Sequence, residues 1–328
     1  MSTEAATTTM RPTPAARHLL VTSPRTASNL LVRILNLEGQ GARPVKNNGY
    51  FWLPSVLKRY AVQGKPMSEW TTEEKKDIDE IEQQCFDNLL DYIKEAENEG
   101  QLVLFKEHAL LLNHPFFESE FAHGKGTTVG KPTVLGSGTR SPSNKTVLSD
   151  EFLKTFKPTF LIRHPALSFA SMYRAARSDA LGRPHKEPSL VERSSIWARR
   201  LFDFYEAEHG QGGERPLVLD ADDMMTSPEL MLKYARLAGL DPDKLRFSWE
   251  KASQEALSNM SAMARMMLSS LNASEKVNLD KVAGDLDIAE EAAKWRVEFG
   301  DEGGNKLESW VRAAMPDYEY MRSKRLEI

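Results

Sequence analysis

The chain has 328 residues, 41% of them hydrophobic and 27% charged, enough for one large α/β domain or two small ones. Basic residues number 43 against 47 acidic, a net charge of −4, so there is no bulk positive field for nucleic acid. Any anion site must therefore be local, built from a few arginines and backbone amides.

Residues 1–16 are rich in Thr, Ala and Pro and have no apolar core of a signal peptide. They read as a disordered tail or a weak organelle presequence, with Glu4 and few early arginines favouring the tail, and 17–328 reads as a single domain with no repeat or linker dividing it. Arg17 to Thr22 is a short apolar run stopping at Ser23-Pro24, as a buried parallel strand does. A polar loop, 23–29, leads into Leu30, Leu31, Ile34 and Leu35 at helical spacing. Residues 41–65 carry Gly, Pro, Asn and aromatics, and Tyr50, Phe51 and Trp52 are candidates for a pocket wall. Thr71 and Thr72 before Glu73 and Glu74 open a capped helix whose apolar stripe runs from Ile78 to Ala96, with Gly100 as its stop. Cys85, the one cysteine, falls on that stripe and reads as a buried inert thiol. A lone cysteine fits a reducing, cytoplasmic setting.

Leu102 to Phe105 is the second buried strand, followed by Lys106-Glu107-His108. The long Gly/Ser/Thr/Pro-rich stretch at 119–148 has the composition of a lid or substrate loop. Thr159 to Ile162 is the third strand, running into Arg163-His164-Pro165 and a helix through Tyr173. An amphipathic helix spans 189–208, Leu217 to Leu219 is the fourth strand, ending at Asp220, and a helix follows Pro228. Residues 251–328 are helical or irregular, without a further strand. No apolar run approaches the ~18 residues of a membrane span. Four apolar strands separated by helices predict a parallel sheet covered on both faces, with ligands beyond the carboxyl ends of its strands. The loops at 23–29, 106–108 and 163–171 should therefore meet at one edge of the sheet.

Between a strand and a helix, Ser23 to Asn29 suits a phosphate. The first helical amides point outward, small residues let the backbone wrap, and Arg25 supplies a charged fork. The bland alternative is a βα turn with a surface arginine. The Gly-x-x-x-x-Gly-Lys-Ser/Thr loop of ATPases and GTPases is absent. Asp220 at a strand end resembles the acidic element of those enzymes, but buried strands often end in Asp. Arg163 ends a strand, and Ser171 lies eight residues on, about two turns into a helix, where together they could grip a second phosphate; taken alone, the pair reads better as a helix start with an exposed arginine and a small packing serine. No His, Cys and Asp set has zinc spacing, so no metal is expected.

The paired segments resemble the nucleotide-binding motifs of sulfotransferases that use 3′-phosphoadenosine 5′-phosphosulfate (PAPS). The resemblance covers roughly residues 18–250. It implies a three-layer P-loop-type α/β domain in which Pro24, Arg25, Thr26, Ala27, Ser28 and Asn29 hold the 5′-phosphosulfate and Arg163 and Ser171 the 3′-phosphate. His108 would be the base, Lys106 would help position the sulfuryl group, and Arg25 would stabilise the leaving phosphate. The implied partners are a nucleotide and a small acceptor, apolar or aromatic if Tyr50, Phe51, Trp52, Phe116 and Phe117 line its site. His114 is the next candidate for base or substrate contact. Three features depart from the family pattern. Ala27 stands where glycine is usual, and its Cβ disfavours a positive φ. Leu30 replaces a frequent Trp. No Arg-Lys-Gly segment completes the 3′-phosphate site, for which Ser269, Ser270, Lys294 and Arg296 are candidate substitutes. A fold-mate that does not transfer sulfate and a non-catalytic nucleotide-binding protein remain as alternatives.

Overall fold

The structure, a computed structural model, describes residues 16–45, 49–178 and 186–328. The expected tail lies outside the described residues except for Ala16. The four apolar runs form strands β1 (Arg17–Thr22), β2 (Val103–His108), β3 (Lys157–Ile162) and β4 (Leu217–Asp220). All pair in parallel, in the order β2-β1-β3-β4. This is the expected parallel α/β sheet.

Parallel neighbours need crossovers, and helices supply them. Between β1 and β2 run α1 (Ser28–Leu35), α2 (Leu53–Arg59) and α3 (Thr72–Asn98). Between β2 and β3 run α4 (Ala109–Leu112), α5 (Pro115–His123) and α6 (Asp150–Leu153). Helices α7 (Pro165–Ala176) and α8 (Ile196–His209) join β3 to β4. After β4 come α9 (Ala221–Thr226), α10 (Pro228–Ala238), α11 (Gln254–Ser258), α12 (Ala262–Asn272) and α13 (Ile288–Arg322).

Strand alternation divides the core between two layers. Leu19, Val21, Phe160 and Val218 pack with α2, α3 and α8 on one face. Leu20, Leu161 and Leu219 pack with α1, α9 and α10 on the other. The start of α3 carries the expected capping box, Thr71 with Glu74. Cys85 is buried in the first layer as a free thiol. Helix α8 begins later than its apolar pattern suggests, because Ser189 N donates to the Glu192 carboxylate in a local turn, 2.8 Å away. Helix α13 breaks at Gly300, φ 78°, and folds back so closely that a Cβ on Gly304 would sit 2.6 Å from the Arg296 amide nitrogen. Its first part packs Trp295 against α7, and its last turns bring Tyr318 to the sheet.

The strand order places the chain's reversal at β1. The connection from β1 leads to β2 on one side, and β3 lies on the other. A ligand crevice forms where such loops part. The loop after β1 and the loop after β3 therefore face each other across one opening.

Candidate active site

That opening is a cavity of about 610 Å³ at the carboxyl ends of the strands. Its floor is the β1–α1 loop. Arg25 and Ala27 both take left-handed backbone, with φ 65° and 64°. Alternating handedness turns successive amides inward as an anion nest. Helix α1 has no side-chain cap, and no described group accepts from the amides of Ala27, Ser28 or Asn29. Thr26 is buried and donates to the Ser23 carbonyl at 2.8 Å, so its hydroxyl fastens the loop instead of facing the cavity.

Two guanidinium groups stand over this nest. Arg25 Nε donates to Ser171 Oγ at 2.8 Å, and its Nη1 to the Met267 carbonyl at 3.2 Å. Arg163 donates to the Arg25 carbonyl at 3.1 Å and to the Lys281 carbonyl at 2.7 Å. Burial, the largest influence on each, pulls both below the ordinary arginine value. Among the described residues neither forms an ion pair. Two desolvated cations in no ion pair with a described residue, of which Arg163 feels the Asp222 and Asp220 carboxylates only at a distance, stand above open amides and favour an anion there.

Strand β2 lies beside β1 in register, with Thr22 opposite His108. The three residues at its end go three ways. Lys106 is 2% exposed, lies over the Tyr50 ring at 4.4 Å and donates to Asn29 Oδ1 at 2.8 Å. It does not border the cavity. An ammonium only donates, so it fixes the Asn29 amide with its NH₂ turned away from the lysine. Burial pushes Lys106 down to about 8. Glu107 points to the opposite face, fully buried, and accepts from the Trp52 amide at 3.0 Å and the His108 amide at 3.2 Å. Burial pushes it up to about 8. His108 borders the cavity, with its ring 4.6 Å from that of Tyr50 and Nδ1 2.6 Å from Thr22 Oγ1. Burial first, and then Lys106 and Arg25, hold the ring down to about 3, so it is neutral. The arrangement sets a neutral imidazole beside the open amides of the β1–α1 loop and the two guanidinium groups above them.

Sulfotransferase ppzF of Metarhizium rileyi (strain RCEF 4871) is 35% identical over 335 residues, covering 96% of this chain and 97% of that protein. The chain belongs to the sulfotransferase family. Sulfotransferase ppzF of Metarhizium majus (strain ARSEF 297) is 37% identical over 333 residues, covering 95% and 97%. Among solved structures, the sulfotransferase domain from the Synechococcus PCC 7002 olefin synthase is 15% identical, with 84% of this chain and 90% of that one covered at a TM-score of 0.39. The sulfotransferase domain from the curacin biosynthetic pathway is 12% identical, with 92% and 99% covered at a TM-score of 0.42. No protein-family model matches the chain.

The sulfotransferase brings Arg25, Ala27, Ser28, Asn29, His108, Arg163 and Ser171 to one cavity, as their positions after strands suggest. Ala27 takes the left-handed conformation despite its Cβ. Several other expectations need correction. The 119–148 stretch contributes no residue to the cavity. Arg140 binds it onto itself through the Thr146 and Pro132 carbonyls, and Asn144 ties it to Leu148 and Asp150. Phe51 and Trp52 turn into the core beneath α2, and Phe116 and Phe117 stand outside the cavity. Its wall there is mainly aliphatic, from Leu53, Val56 and Leu57 of α2 with Leu110 and Leu111. His114 is buried and caps α5, accepting from the Phe116 amide. Asp220 caps α9 and accepts from Tyr318 at 2.8 Å, a structural duty. Of the four substitutes for the missing 3′-phosphate segment, only Ser270 reaches the cavity. Lys294 pairs with Glu291, and Arg296 with Glu308.

The structure adds residues to the site that no motif points to. Met263, Met267, Leu268 and Leu271 of α12 form a wall over the β1–α1 loop, and Lys276 and Lys281 stand exposed at its rim. The sequence reads as helical or irregular throughout 251–328, with nothing to say which part covers the loop. Among the described residues no cluster of metal-ligating side chains is present, and no helix is long and apolar enough to cross a membrane.

Proposed function

We propose that this sulfotransferase moves the sulfuryl group of PAPS to a hydroxyl or amine of a small, mainly apolar acceptor, with His108 as base. The observation that carries the reading is the pair of buried guanidinium groups without carboxylate partners, set over the open amides of the β1–α1 loop. The donor set fits a nucleotide bearing two phosphates. The amides of Ala27 to Asn29, with Ser28 and Arg25, suit the 5′-phosphosulfate. Arg163 and Ser171 suit the 3′-phosphate, with Ser270, Lys276 and Lys281 at the rim supplying the charge that an Arg-Lys-Gly segment supplies elsewhere. The aliphatic wall of α2 and the 110–111 turn suits the acceptor. Residues 17–328 act as one domain in this reading.

In the transfer, the acceptor oxygen or nitrogen forms a bond to sulfur, and the bond from sulfur to the 5′-phosphate oxygen breaks. The acceptor's proton passes to His108, and the leaving phosphate carries away the bonding pair. Arg25 neutralises the charge that grows there, the term that most lowers such barriers. Lys106 acts on this centre through Asn29, whose amide it orients. A positioned base contributes ~10²–10⁴-fold.

The test is calorimetric binding of 3′-phosphoadenosine 5′-phosphate beside adenosine 5′-phosphate, followed by transfer of labelled sulfate from PAPS to a panel of phenols, alcohols and amines. The bisphosphate should bind more tightly than the monophosphate. Equal affinity for the two, or no binding of either, refutes the donor assignment.

A further inference from the structure

Thr22 is the last residue of β1, and its side chain is fully buried. It touches neither the cavity nor any group expected to bind the nucleotide. Its hydroxyl nevertheless meets two atoms of the neighbouring strand end, and it also interacts with the Tyr50 hydroxyl, which can donate to it. Oγ1 lies 3.2 Å from the Glu107 carbonyl oxygen and 2.6 Å from His108 Nδ1.

A hydroxyl has one proton, and a carbonyl oxygen can only accept. With the Thr22 proton directed to Glu107 O, the lone pairs of Oγ1 face Nδ1, and a close contact there requires the proton to be on Nδ1. We propose that Thr22 is a positioning residue that fixes the neutral His108 ring as its Nδ1–H tautomer, leaving the Nε2 lone pair to receive the acceptor's proton. The proposal rests on His108 being the base, and it adds the group that selects which nitrogen serves.

Three further features support it. Nε2 makes no hydrogen bond to any described residue, whereas Nδ1 is engaged. The ring is neutral, so the tautomer question is real; burial and the two nearby cations keep it so. The Tyr50 ring beside His108, with centroids 4.6 Å apart, limits rotation that would exchange the nitrogens. When Nε2 gains the proton, Nδ1–H still points at an accepting oxygen, so the imidazolium forms without reorganising its partner. The other tautomer would put the Thr22 proton on the path to Nδ1 and leave Nε2 occupied. The pair is also held from outside: parallel pairing of β1 and β2 sets Thr22 opposite His108, and the Glu107 carboxylate accepts from the His108 amide.

The experiment needs no acceptor. Protein labelled with ¹⁵N-histidine is examined by long-range proton–nitrogen correlation at neutral pH, with His108→Gln assigning the signals. The parent should show His108 with a protonated Nδ1 and an unprotonated Nε2. Thr22→Val keeps the shape but cannot accept, and should shift His108 toward the Nε2–H form. Thr22→Ser restores the acceptor and should return the parent pattern. Should the valine variant not fold, Thr22→Ala provides the same comparison. An Nε2–H ring in the parent overturns the proposal, and so does an unchanged Nδ1–H ring in a folded Thr22→Val or Thr22→Ala protein. Failure of sulfuryl transfer from PAPS would remove the base assignment yet leave the tautomer result standing, so the two failures are distinguishable.

Discussion

Replacing Ala27 with glycine should stabilise the protein, although it removes a methyl group from a loop beside the core. Ala27 holds φ 64° and ψ 24°. That left-handed conformation costs an L residue ~1–2 kcal/mol and costs glycine little. Glycine in turn raises the entropy of the unfolded chain, which takes back ~0.4–1 kcal/mol. The methyl packs at the margin of the α1 and α10 layer, and its loss is a minor correction. The balance is a gain of about 0.5–1 kcal/mol, or roughly 1–2 °C in the unfolding midpoint for a chain this long. Valine at the same place should lose about 1 kcal/mol or more, because branching at Cβ makes a positive φ harder to hold. Urea titration followed by circular dichroism measures both. A glycine variant less stable than the parent, or a valine variant equal to it, would mean that Ala27 is not left-handed and that the amide nest is not built as described.

Arg163→Ala should weaken 3′-phosphoadenosine 5′-phosphate about tenfold or more, and adenosine 5′-phosphate less; the size follows from a charged hydrogen bond of ~1.5–3 kcal/mol. Calorimetry with both ligands decides it, and equal losses refute a 3′-phosphate role. His108→Ala should lower single-turnover transfer by ~10²-fold or more with little change in nucleotide affinity, whereas Arg25→Ala should damage both. A histidine with only a structural role would instead show first as a lower melting temperature. The His108 ring should stay neutral from about pH 8 to about pH 5, because its folded value lies near 3 and a free ring titrates near 6.5. Its contribution to stability is therefore complete above about 6.5 and is lost as pH falls from there toward the folded value. Ring chemical shifts followed against pH test this, and a midpoint near 6.5 refutes it.

The sheet and the floor of the site were legible because both are local patterns. A buried parallel strand reads as an unbroken apolar run, and each functional loop starts where such a run stops. Arg25, His108 and Arg163 could be placed together without coordinates, since three adjacent parallel strands must end at the same edge. The wall above them was not legible. Helix α12 lies more than 200 residues from the β1–α1 loop it covers, and its methionines look like any other amphipathic face. Composition also misled. The Gly/Ser/Thr/Pro-rich 119–148 stretch has the composition of a lid or substrate loop, but internal bonds from Arg140 and Asn144 fold it onto itself away from the cavity. Phe51 and Trp52 sit two and one residues before α2, and the turn of the chain there sends them into the core, leaving the aliphatic side of the helix to face the cavity. Thr22 carries no sequence signal, because a threonine ending a β strand is ordinary; only the distance to Nδ1 distinguishes it.

The buried thiol has a practical consequence. Cys85 is the one cysteine in the chain, 1% exposed, and burial pushes it up to about 11, so it is neither reachable nor ionised at neutral pH. A cysteine introduced at an exposed position of α12 would be the only reactive thiol in the molecule. The native protein is thus already a background for single-site labelling. A fluorophore or spin label on that helix would report how the wall over the β1–α1 loop responds to nucleotide, with no stabilising residue first removed from the core.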